Sequence, residues 1–506
     1  MHLLLPIALV GLLRLGGDDT LQDFKKYYGT YKDTPSRVEA ILTLEGHEDP
    51  DIVEILLPKL KETESEIVRA AVRVLAGFKT RPPLDALLAA LKADKNEAVR
   101  SGILRALAEG KSTETGPAVR SCLTDKSWEV RRRAIQAFLV AKPPDAAAAI
   151  APLCADPEPG VRCTALDALT SLAAAEVVAH AIQSLEDPVW QVRTSALGAL
   201  SKVRSADAIT PLIKLLEKEE GVLVPEIGET LACLTGKEFG AQVEQWKGWW
   251  AGAKATFVLP TPEAIAYLRA KHDARTGNAP REYMKTGVVE YHGIDTPSRS
   301  VLFIIDVSGS MEAVVTEKER FEAGHYPSYK RIDIVKTELQ RTIDHLEPFV
   351  NFNILAFATD VDPWKKQLVP ANILNKSAAK DWVGRLEAIG GSSKEDLAAV
   401  GLAASAGLDK GKTNTYGALM AGLDVRPGAR TGEKNYTVEI DTMFFLSDGR
   451  PTVGTFVDPD DILRELTAAN ELRKVKIHTI AIGEFQKDFM RKIAERTGGV
   501  FVDLGK

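Results

Sequence analysis

Three oxygen-bearing side chains, Asp306, Ser308 and Ser310, follow an apolar segment in the C-terminal half of the chain. The preceding residues, 301–305, contain no polar side chain and are typical of a strand buried on both faces in a parallel sheet. A carboxylate and two hydroxyls at alternate positions, with a glycine between the serines, suit a hard cation such as Mg²⁺. The alternative is that these residues only cap a strand and start a turn.

Two other segments contain oxygen donors of the same kind. Thr413 lies in a polar loop that leads into an apolar helix, and Asp448 follows a second buried strand at 442–447. In an open α/β sheet, the carboxyl ends of neighbouring strands share one crevice, so these donors are expected to converge. Because Mg²⁺ prefers near-octahedral oxygen coordination and retains water, five such side chains would leave a position open for a partner.

In this order and strand context, the segments DVSGSM, TNTYGAL and LSDG resemble the von Willebrand factor type A domain over residues 299–506. That family's metal-ion-dependent adhesion site has the pattern DxSxS, then Thr, then Asp. The resemblance implies five metal ligands, Asp306, Ser308, Ser310, Thr413 and Asp448. It also implies bound Mg²⁺, with Mn²⁺ or Ca²⁺ as alternatives, and a carboxylate from a protein partner that completes the metal shell. One departure from the family pattern is the insertion 392–412, just before Thr413, which we expect to lie beside the site.

Residues 406–413 also fit a relaxed phosphate-binding loop. Such a loop needs a strand before it and a helix after it, so that backbone N–H groups surround the phosphate. Residues 396–406 are instead rich in Ala and Leu, and Ala406 replaces the first glycine. The sequence therefore disfavours nucleotide binding at this segment.

Strands alternate with helices from Ser298 onwards, which predicts a doubly wound, mostly parallel α/β sheet of the Rossmann-like kind. The predicted strands are 301–306, 351–358, 442–447, 475–482 and 500–503. The predicted helices are 331–346, 376–387, 415–424, 460–473 and 486–497. The charged insertion 312–330 is expected to be either solvated or part of the recognition rim.

A repeat dominates residues 31–236. The dipeptide Val-Arg recurs every 31 residues, from Val68 to Val192, and an Asp stands five residues before the Val in four of the copies, Asp94, Asp125, Asp156 and Asp187. A fixed period in this range indicates a solenoid, and the units resemble HEAT repeats, about seven of them. We expect each Asp to cap a helix and the arginines to reach these carboxylates in a ladder along the stack. The run 131–133, three arginines, is interpreted as a solvated helix face that includes one repeat position.

The predicted domains are a signal peptide at 1–17, a HEAT-like α-solenoid at 18–253, a linker at 254–298 and the sheet domain at 299–506. The apolar run 3–13 is too short to span a bilayer and fits the core of a signal peptide, with a cut near Gly17. A buried or amphipathic first helix is the alternative. Trp246, Trp249 and Trp250 are expected to cap the last repeat, and residues 288–292 to add an edge strand.

Composition excludes several classes. Hydrophobic content of 45% and charged content of 26% are ordinary for a globular protein, and the net charge of −6 gives no reason to expect nucleic acid as a partner. The four cysteines lack a zinc spacing and are expected to pack as small apolar residues, with a Cys154–Cys163 disulfide as the alternative. No later segment is apolar enough to predict a transmembrane helix, and the oligomeric state stays open.

The main functional hypothesis is therefore a non-enzymatic, exported binding protein that captures an acidic group of a protein partner through a metal ion. A cytoplasmic assembly factor that serves a ring-shaped ATPase is the alternative, and the resemblance allows it. A metal-assisted hydrolase is the third possibility. It lacks support, because no histidine lies in the three motifs and no nucleophile signature is visible.

Overall fold

The computed structural model describes residues 17–113, 116–276, 289–390, 411–423, 439–483 and 487–504. The predicted signal peptide apart from its last residue, most of the insertion 392–412 and most of the segment 406–413 lie outside this part of the chain. The described residues form two compact units, one that ends at Leu172 and one that starts at Ala173. The predicted domain boundaries at 253 and 298 remain predictions.

The first unit is an array of paired helices. They are α1 (Gly17–Tyr27), α2 (Thr34–Leu42), α3 (Asp51–Leu56), α4 (Ser65–Ala76), α5 (Arg81–Ala93), α6 (Glu97–Glu109), α7 (Pro117–Ser121), α8 (Trp128–Ala141), α9 (Ala146–Ile150) and α10 (Pro159–Ser171). Apolar residues at helical spacing form one buried stripe along α6, which contains Val99, Ile103 and Leu107. Equivalent stripes on α8 and α10 produce a continuous core, as a helical repeat requires.

The repeated aspartates lie two residues before the N-cap of the helix, so the prediction that they are themselves N-caps is wrong. Each accepts a hydrogen bond from the backbone N–H two residues further on, as Asp94 does from Asn96 and Asp125 does from Ser127. The residue that donates is itself the N-cap of the helix. The short Asp side chain therefore closes a turn that sets the entry into the helix.

The predicted ladder of arginines and carboxylates is confirmed within each unit. Arg100 pairs with Asp125 and Arg131 with Asp156 in the first unit, and Arg193 pairs with Glu219 in the second. Arg131 is thus mostly buried, and Arg132 is buried against Glu129 at 2.9 Å. The interpretation of residues 131–133 as a solvated face is therefore wrong, because all three arginine side chains are mostly buried and pair with a carboxylate.

The repeat continues in the second unit with α11 (Val177–Ser184), α12 (Trp190–Lys202), α13 (Ile209–Lys218) and α14 (Leu223–Thr235), followed by α15 (Val243–Ala253) and α16 (Pro262–Thr276). The tryptophans of α15 close the array, as predicted. Trp246 is fully buried and donates to the carbonyl of Gly240 at 2.9 Å, and Trp250 donates to the hydroxyl of Thr210 on α13 at 2.8 Å.

The remainder of the second unit is a sheet domain. Its strands are β1 (Val289–Tyr291), β2 (Ile294–Thr296), β3 (Ser300–Asp306), β4 (Asn351–Phe357), β5 (Val361–Pro363), β6 (Val369–Pro370), β7 (Thr442–Ser447), β8 (Lys476–Ala481) and β9 (Phe501–Asp503). The helices are α17 (Arg331–His345), α18 (Ile373–Gly384), α19 (Thr415–Gly422), α20 (Pro459–Asn470) and α21 (Lys487–Thr497). The main sheet has the order β5-β4-β3-β7-β8-β9, with β6 also paired to β4.

Five neighbouring strands of the main sheet run parallel to one another: β4, β3, β7, β8 and β9. The two short strands β5 and β6 are antiparallel to β4. Alternate residues of β3 enter two separate cores: Phe303 packs with α17 on one face, and Ile304 packs with α19 to α21 on the other. This arrangement confirms the predicted doubly wound, mostly parallel sheet. It also places the carboxyl ends of β3 and β7 side by side.

The structure bears on three smaller points. The predicted linker contains α16 and the hairpin β1–β2, which forms a separate two-stranded sheet, so residues 289–291 do not extend the main sheet as an edge strand. All four cysteines are free thiols, which excludes the Cys154–Cys163 disulfide. Within the described part of the chain, no helix is long and apolar enough to cross a membrane.

Candidate metal site

The end of β3 fixes the first carboxylate of the predicted site. Asp306 is completely buried, and both of its oxygens accept hydrogen bonds. Oδ1 accepts the backbone N–H of Ser308 at 2.8 Å, which stabilises the turn after the strand. Oδ2 accepts the hydroxyl of Ser447, from the adjacent strand β7, at 2.6 Å. The carboxylate is therefore held rigidly where the two parallel strands end.

The other donors cluster around this point. The hydroxyls of Ser308 and Ser310 lie 3.2 Å apart, and Ser310 donates to Oδ1 of Asp448 at 2.6 Å. Asp448 belongs to β7's carboxyl end, 138 positions from Ser310, so the contact between them depends on the parallel pairing of β3 and β7. Two of the three predicted segments thus meet directly.

Thr413 comes from the third segment. A methyl group placed on Gly449 would lie 3.3 Å from the hydroxyl oxygen of Thr413 and 3.4 Å from that of Ser310, so both hydroxyls border the same glycine. The Thr413 loop is anchored by its backbone, which donates to the hydroxyl of Thr452 at 2.9 Å. Asn414 fastens the loop further, because its amide donates to the carbonyl of Thr359 at 3.1 Å. All five predicted residues therefore lie at one edge of the sheet.

Gly411 shows how closely the chain returns to the site after the insertion. A methyl group on Gly411 would lie 2.2 Å from the carbonyl oxygen of Ile389, which only a residue without a side chain avoids. Ile389 in turn donates its N–H to the carbonyl of Val307 at 2.8 Å. The chain on both sides of residues 391–410 is thus attached to the turn that carries the serines.

The two carboxylates dominate the electrostatics of the site. Burial, followed by the nearby charge of Asp448, raises the pKa of Asp306 to about 7, although hydrogen bonds from Ser308 and Ser447 oppose the shift. Two buried carboxylates that repel each other favour any cation that approaches them. The guanidinium of Arg331 supplies one such charge, with Nη1 at 2.5 Å from Oδ2 of Asp448.

The donor set fits a hard divalent cation. It contains two carboxylates and three hydroxyls, with no sulfur and no imidazole, and oxygen ligands of this kind suit Mg²⁺, Mn²⁺ or Ca²⁺. Among the described residues, no cluster of three or more His, Cys, Asp or Glu side chains could hold a metal. Hydroxyls make up three of the five oxygen donors of the predicted site. This donor set does not fit a zinc site, for which sulfur and nitrogen ligands are usual.

Sequence analysis missed two contributors. Ser447 is the last residue of the predicted strand 442–447, but only the structure shows that its hydroxyl orients the carboxylate of Asp306. Arg331 begins α17, and no motif includes it. Successive side chains of a strand point to opposite faces, so the sequence could have indicated that Ser447 and Asp448 point in different directions. No local pattern connects Arg331 to a carboxylate 117 positions away.

The insertion 312–330 is attached to the sheet domain by its aromatic residues. Phe321, Tyr326 and Tyr329 pack against the core on the α17 side of the sheet. The hydroxyl of Tyr326 donates to Glu338 of α17 at 2.8 Å. Most residues of the insertion are exposed, as expected of a solvated segment, while these aromatic residues anchor it to α17.

Comparison with known families agrees with this architecture. The model for HEAT repeats matches residues 30–108, 84–158 and 147–231. The model for the von Willebrand factor type A domain matches residues 323–503, a range that includes Thr413 and Asp448 and begins after the DxSxS segment. The chain therefore carries HEAT repeats followed by a von Willebrand factor type A domain.

Several curated relatives match part of the chain. Inter-alpha-trypsin inhibitor heavy chain H4 of Homo sapiens is 24% identical over 209 residues, which is 41% of this chain and 18% of that protein. Heavy chain H1 of Mesocricetus auratus is 26% identical over 172 residues, which is 34% of this chain and 15% of that protein. The chain thus spans less than a fifth of the length of either relative.

Among solved structures, BatB from Bacteroides thetaiotaomicron is 14% identical and covers 40% of this chain and 89% of its own, with a TM-score of 0.25. At this TM-score the similarity carries no information about the fold.

Proposed function

We propose that this protein is a non-enzymatic binding module that holds a divalent cation, Mg²⁺ in the first instance, and uses it to capture a carboxylate of a protein partner. The observation that carries the proposal is the meeting of Asp306, Ser310 and Asp448 at the paired ends of β3 and β7. Hydroxyl and carboxylate oxygens at such short mutual distances form a ready coordination shell for a hard cation.

The proposed partner group follows from charge and coordination. Side chains that supply five oxygens leave at least one position of an octahedral ion to water, and an exchangeable water is where an outside ligand enters. A bound dication is also the largest local charge in such a site, so an anionic oxygen is the favoured ligand. The matched relatives are named as heavy chains of a trypsin inhibitor, which supports a role in association between proteins.

The helical repeats are proposed to provide a second binding surface or a spacer. Arrays of this kind present extended surfaces that can bind another protein. Export remains part of the proposal through the predicted signal peptide. Sequencing of the mature N-terminus would test it.

Manganese is the appropriate probe for the site, because Mn²⁺ bound with an exchangeable water accelerates the relaxation of water protons. Titration of the full chain with Mn²⁺ should show one bound ion and enhanced relaxation, and Mg²⁺ should compete for it. A small carboxylate such as propionate should then reduce the enhancement as it displaces the water. EDTA should abolish every effect.

Two variants locate the ion. Asp306→Asn removes the charge of a buried ligand with little change in shape and should abolish Mn²⁺ binding. Asp488→Asn changes an exposed aspartate of α21 in the same domain and serves as the matched control, which should bind like the unmodified protein. Retention of Mn²⁺ by the Asp306→Asn variant would refute the proposed site.

A further inference from the structure

Arg331 is the feature of the site that the proposed ligand set does not explain. It is the first residue of α17, and its Nη1 lies 2.5 Å from Oδ2 of Asp448. The Asp448 side chain is completely buried and that of Arg331 is 14% exposed, so solvent screens this ion pair only weakly. Because Oδ1 of Asp448 accepts the hydroxyl of Ser310, both oxygens of this carboxylate are engaged.

The backbone of Arg331 and the space around its guanidinium are both restricted. The backbone N–H of Arg331 donates to the carbonyl of Ala313 at 2.9 Å, which fixes the start of the helix relative to the turn after β3. A methyl group on Gly483 would lie 3.3 Å from both Cζ and Nη1 of Arg331, so the backbone after β8 lies against the guanidinium. The backbone after β8 therefore limits the space available to the guanidinium on one side.

A permanent charge at this distance changes the charge balance of the site. Arginine remains protonated in proteins, so it cannot lose its charge when a cation arrives. Asp306 and Asp448, when ionised, contribute −2, and the guanidinium brings the protein's contribution to −1. A bound divalent ion then makes the site +1, whereas without the guanidinium the same loaded site would be neutral.

We propose that Arg331 weakens the binding of the divalent cation and strengthens the capture of an anionic group by the cation-loaded site. This inference rests on the proposed function and adds to it a residue that sets the balance between the two binding steps. Repulsion between the guanidinium and the cation opposes loading, while the net positive charge of the loaded site attracts a carboxylate. The site is thus tuned for partner capture at the expense of metal affinity.

The alternative is that Arg331 only orients Asp448, as hydrogen-bonded groups around metal ligands commonly do. The two roles predict opposite effects on metal binding. If Arg331 orients a ligand, its loss weakens metal binding. If Arg331 repels the metal, its loss strengthens metal binding.

The experiment measures Mn²⁺ affinity and propionate affinity of the Mn²⁺-loaded full chain for four proteins. Arg331→Gln removes the charge, Arg331→Lys keeps it, and Arg464→Gln removes an exposed arginine of α20 as the matched control. Arg331→Gln should bind Mn²⁺ roughly tenfold more tightly or better, and propionate more weakly by a similar factor. Arg331→Lys and Arg464→Gln should stay close to the unmodified protein in both measurements.

Several outcomes would overturn the inference. Equal or weaker Mn²⁺ binding by Arg331→Gln would assign Arg331 an orienting role. Arg331→Met serves as a second charge-removing variant, and if both it and Arg331→Gln fail to fold while Arg331→Lys folds, the charge is structural and the inference is wrong. Absence of Mn²⁺ binding by the unmodified protein would overturn the proposed function itself, which distinguishes that failure from the others.

Discussion

Arg131 donates two hydrogen bonds to the carboxylate of Asp156, from Nε and from Nη2, each at 2.7 Å. Its Nη1 donates to the backbone carbonyl of Asp125 at 2.8 Å, so one guanidinium connects the turns that precede α8 and α10, the equivalent helices of two successive repeats. The Arg131 side chain is 14% exposed and that of Asp156 only 4%. Charge and hydrogen bonding are therefore both satisfied inside the array.

Asp156→Ala is expected to lower the free energy of unfolding of the first unit by about 3–5 kcal/mol, because it leaves the charge of Arg131 mostly buried and unpaired. The exposed pair of Arg120 and Asp145 offers a control with the same chemistry, since both side chains are about half exposed. Asp145→Ala should cost no more than about 1 kcal/mol. Urea unfolding and hydrogen exchange in α8 and α10 would measure both, and equal effects would contradict the role of burial.

Glu129 makes the first unit sensitive to acid. Burial would raise its pKa, but the guanidinium groups of Arg132 and Arg133 outweigh burial and hold the pKa at about 2, below its ordinary value of 4.5. Because the folded-state pKa is depressed, this group's contribution to stability is present above pH 4.5 and is lost as the pH falls towards 2. The contribution is on the order of 3 kcal/mol.

Glu129→Gln should therefore destabilise the repeats at neutral pH and flatten the dependence of their stability on pH between these values. Unfolding of both proteins at a series of pH values would show it. A variant whose acid sensitivity matched that of the unmodified protein would mean that other carboxylates control the transition.

Val161→Asp should destabilise the repeats by more than about 3 kcal/mol, because it places an unpaired charge in the core that Val161 shares with its neighbouring helices. Val140, on the exposed face of α8, is the matched position. Val140→Asp should change stability by less than about 0.5 kcal/mol. Thermal unfolding distinguishes the two, and similar melting curves would show that the register of the repeat is wrong.

Within the second unit, the last repeat contacts the amino ends of the strands, at the edge opposite the candidate metal site. Lys476, which begins β8, lies 2.8 Å from Glu226 of α14, and Arg299 pairs with Glu220. Glu226→Lys should weaken this contact by like-charge repulsion, and the double exchange with Lys476→Glu should restore it. A double-mutant cycle in urea is expected to give a coupling of about 0.5–1 kcal/mol, since both side chains are partly exposed. Strictly additive effects would show that the pair contributes nothing.

Ser447→Ala removes the hydroxyl that donates to Oδ2 of Asp306 and should reduce Mn²⁺ affinity by roughly tenfold or more, because groups that orient a metal ligand commonly contribute that much. Ser377→Ala, at an exposed position of α18, controls for the loss of a hydroxyl in the same domain. The measurement is the same Mn²⁺ titration, and unchanged affinity would remove Ser447 from the site.

Much of the fold follows from local patterns. The strand 442–447 and the start of α17 at Arg331 were predicted at the residues where the structure has them, because buried strands and amphipathic helices differ in the period of their apolar residues. The 31-residue period predicted the solenoid for the same reason, since each unit repeats one pattern of buried positions. The positions of Asp306, Thr413 and Asp448 at one edge also followed, because parallel strands end together.

Other features depend on contacts that no local pattern encodes. The repeated aspartates were expected as N-caps, yet the turn geometry gives that position to the residue two places later, as at Asn96 and Ser127. Residues 289–291 have the composition of an edge strand but pair only with β2. In both cases the residue types fit more than one local structure, so the sequence pattern alone did not distinguish between them.

The sequence by itself determined which residues of this protein could bind a cation and which elements present them, because residue type and apolar periodicity are properties of short segments. Only the tertiary structure decided what surrounds those residues. Ser447 reaches Asp306 across two strands, and Arg331 reaches Asp448 from the start of a helix. Both contacts join positions more than a hundred residues apart, so they arise only when strand order and helix packing bring those positions together.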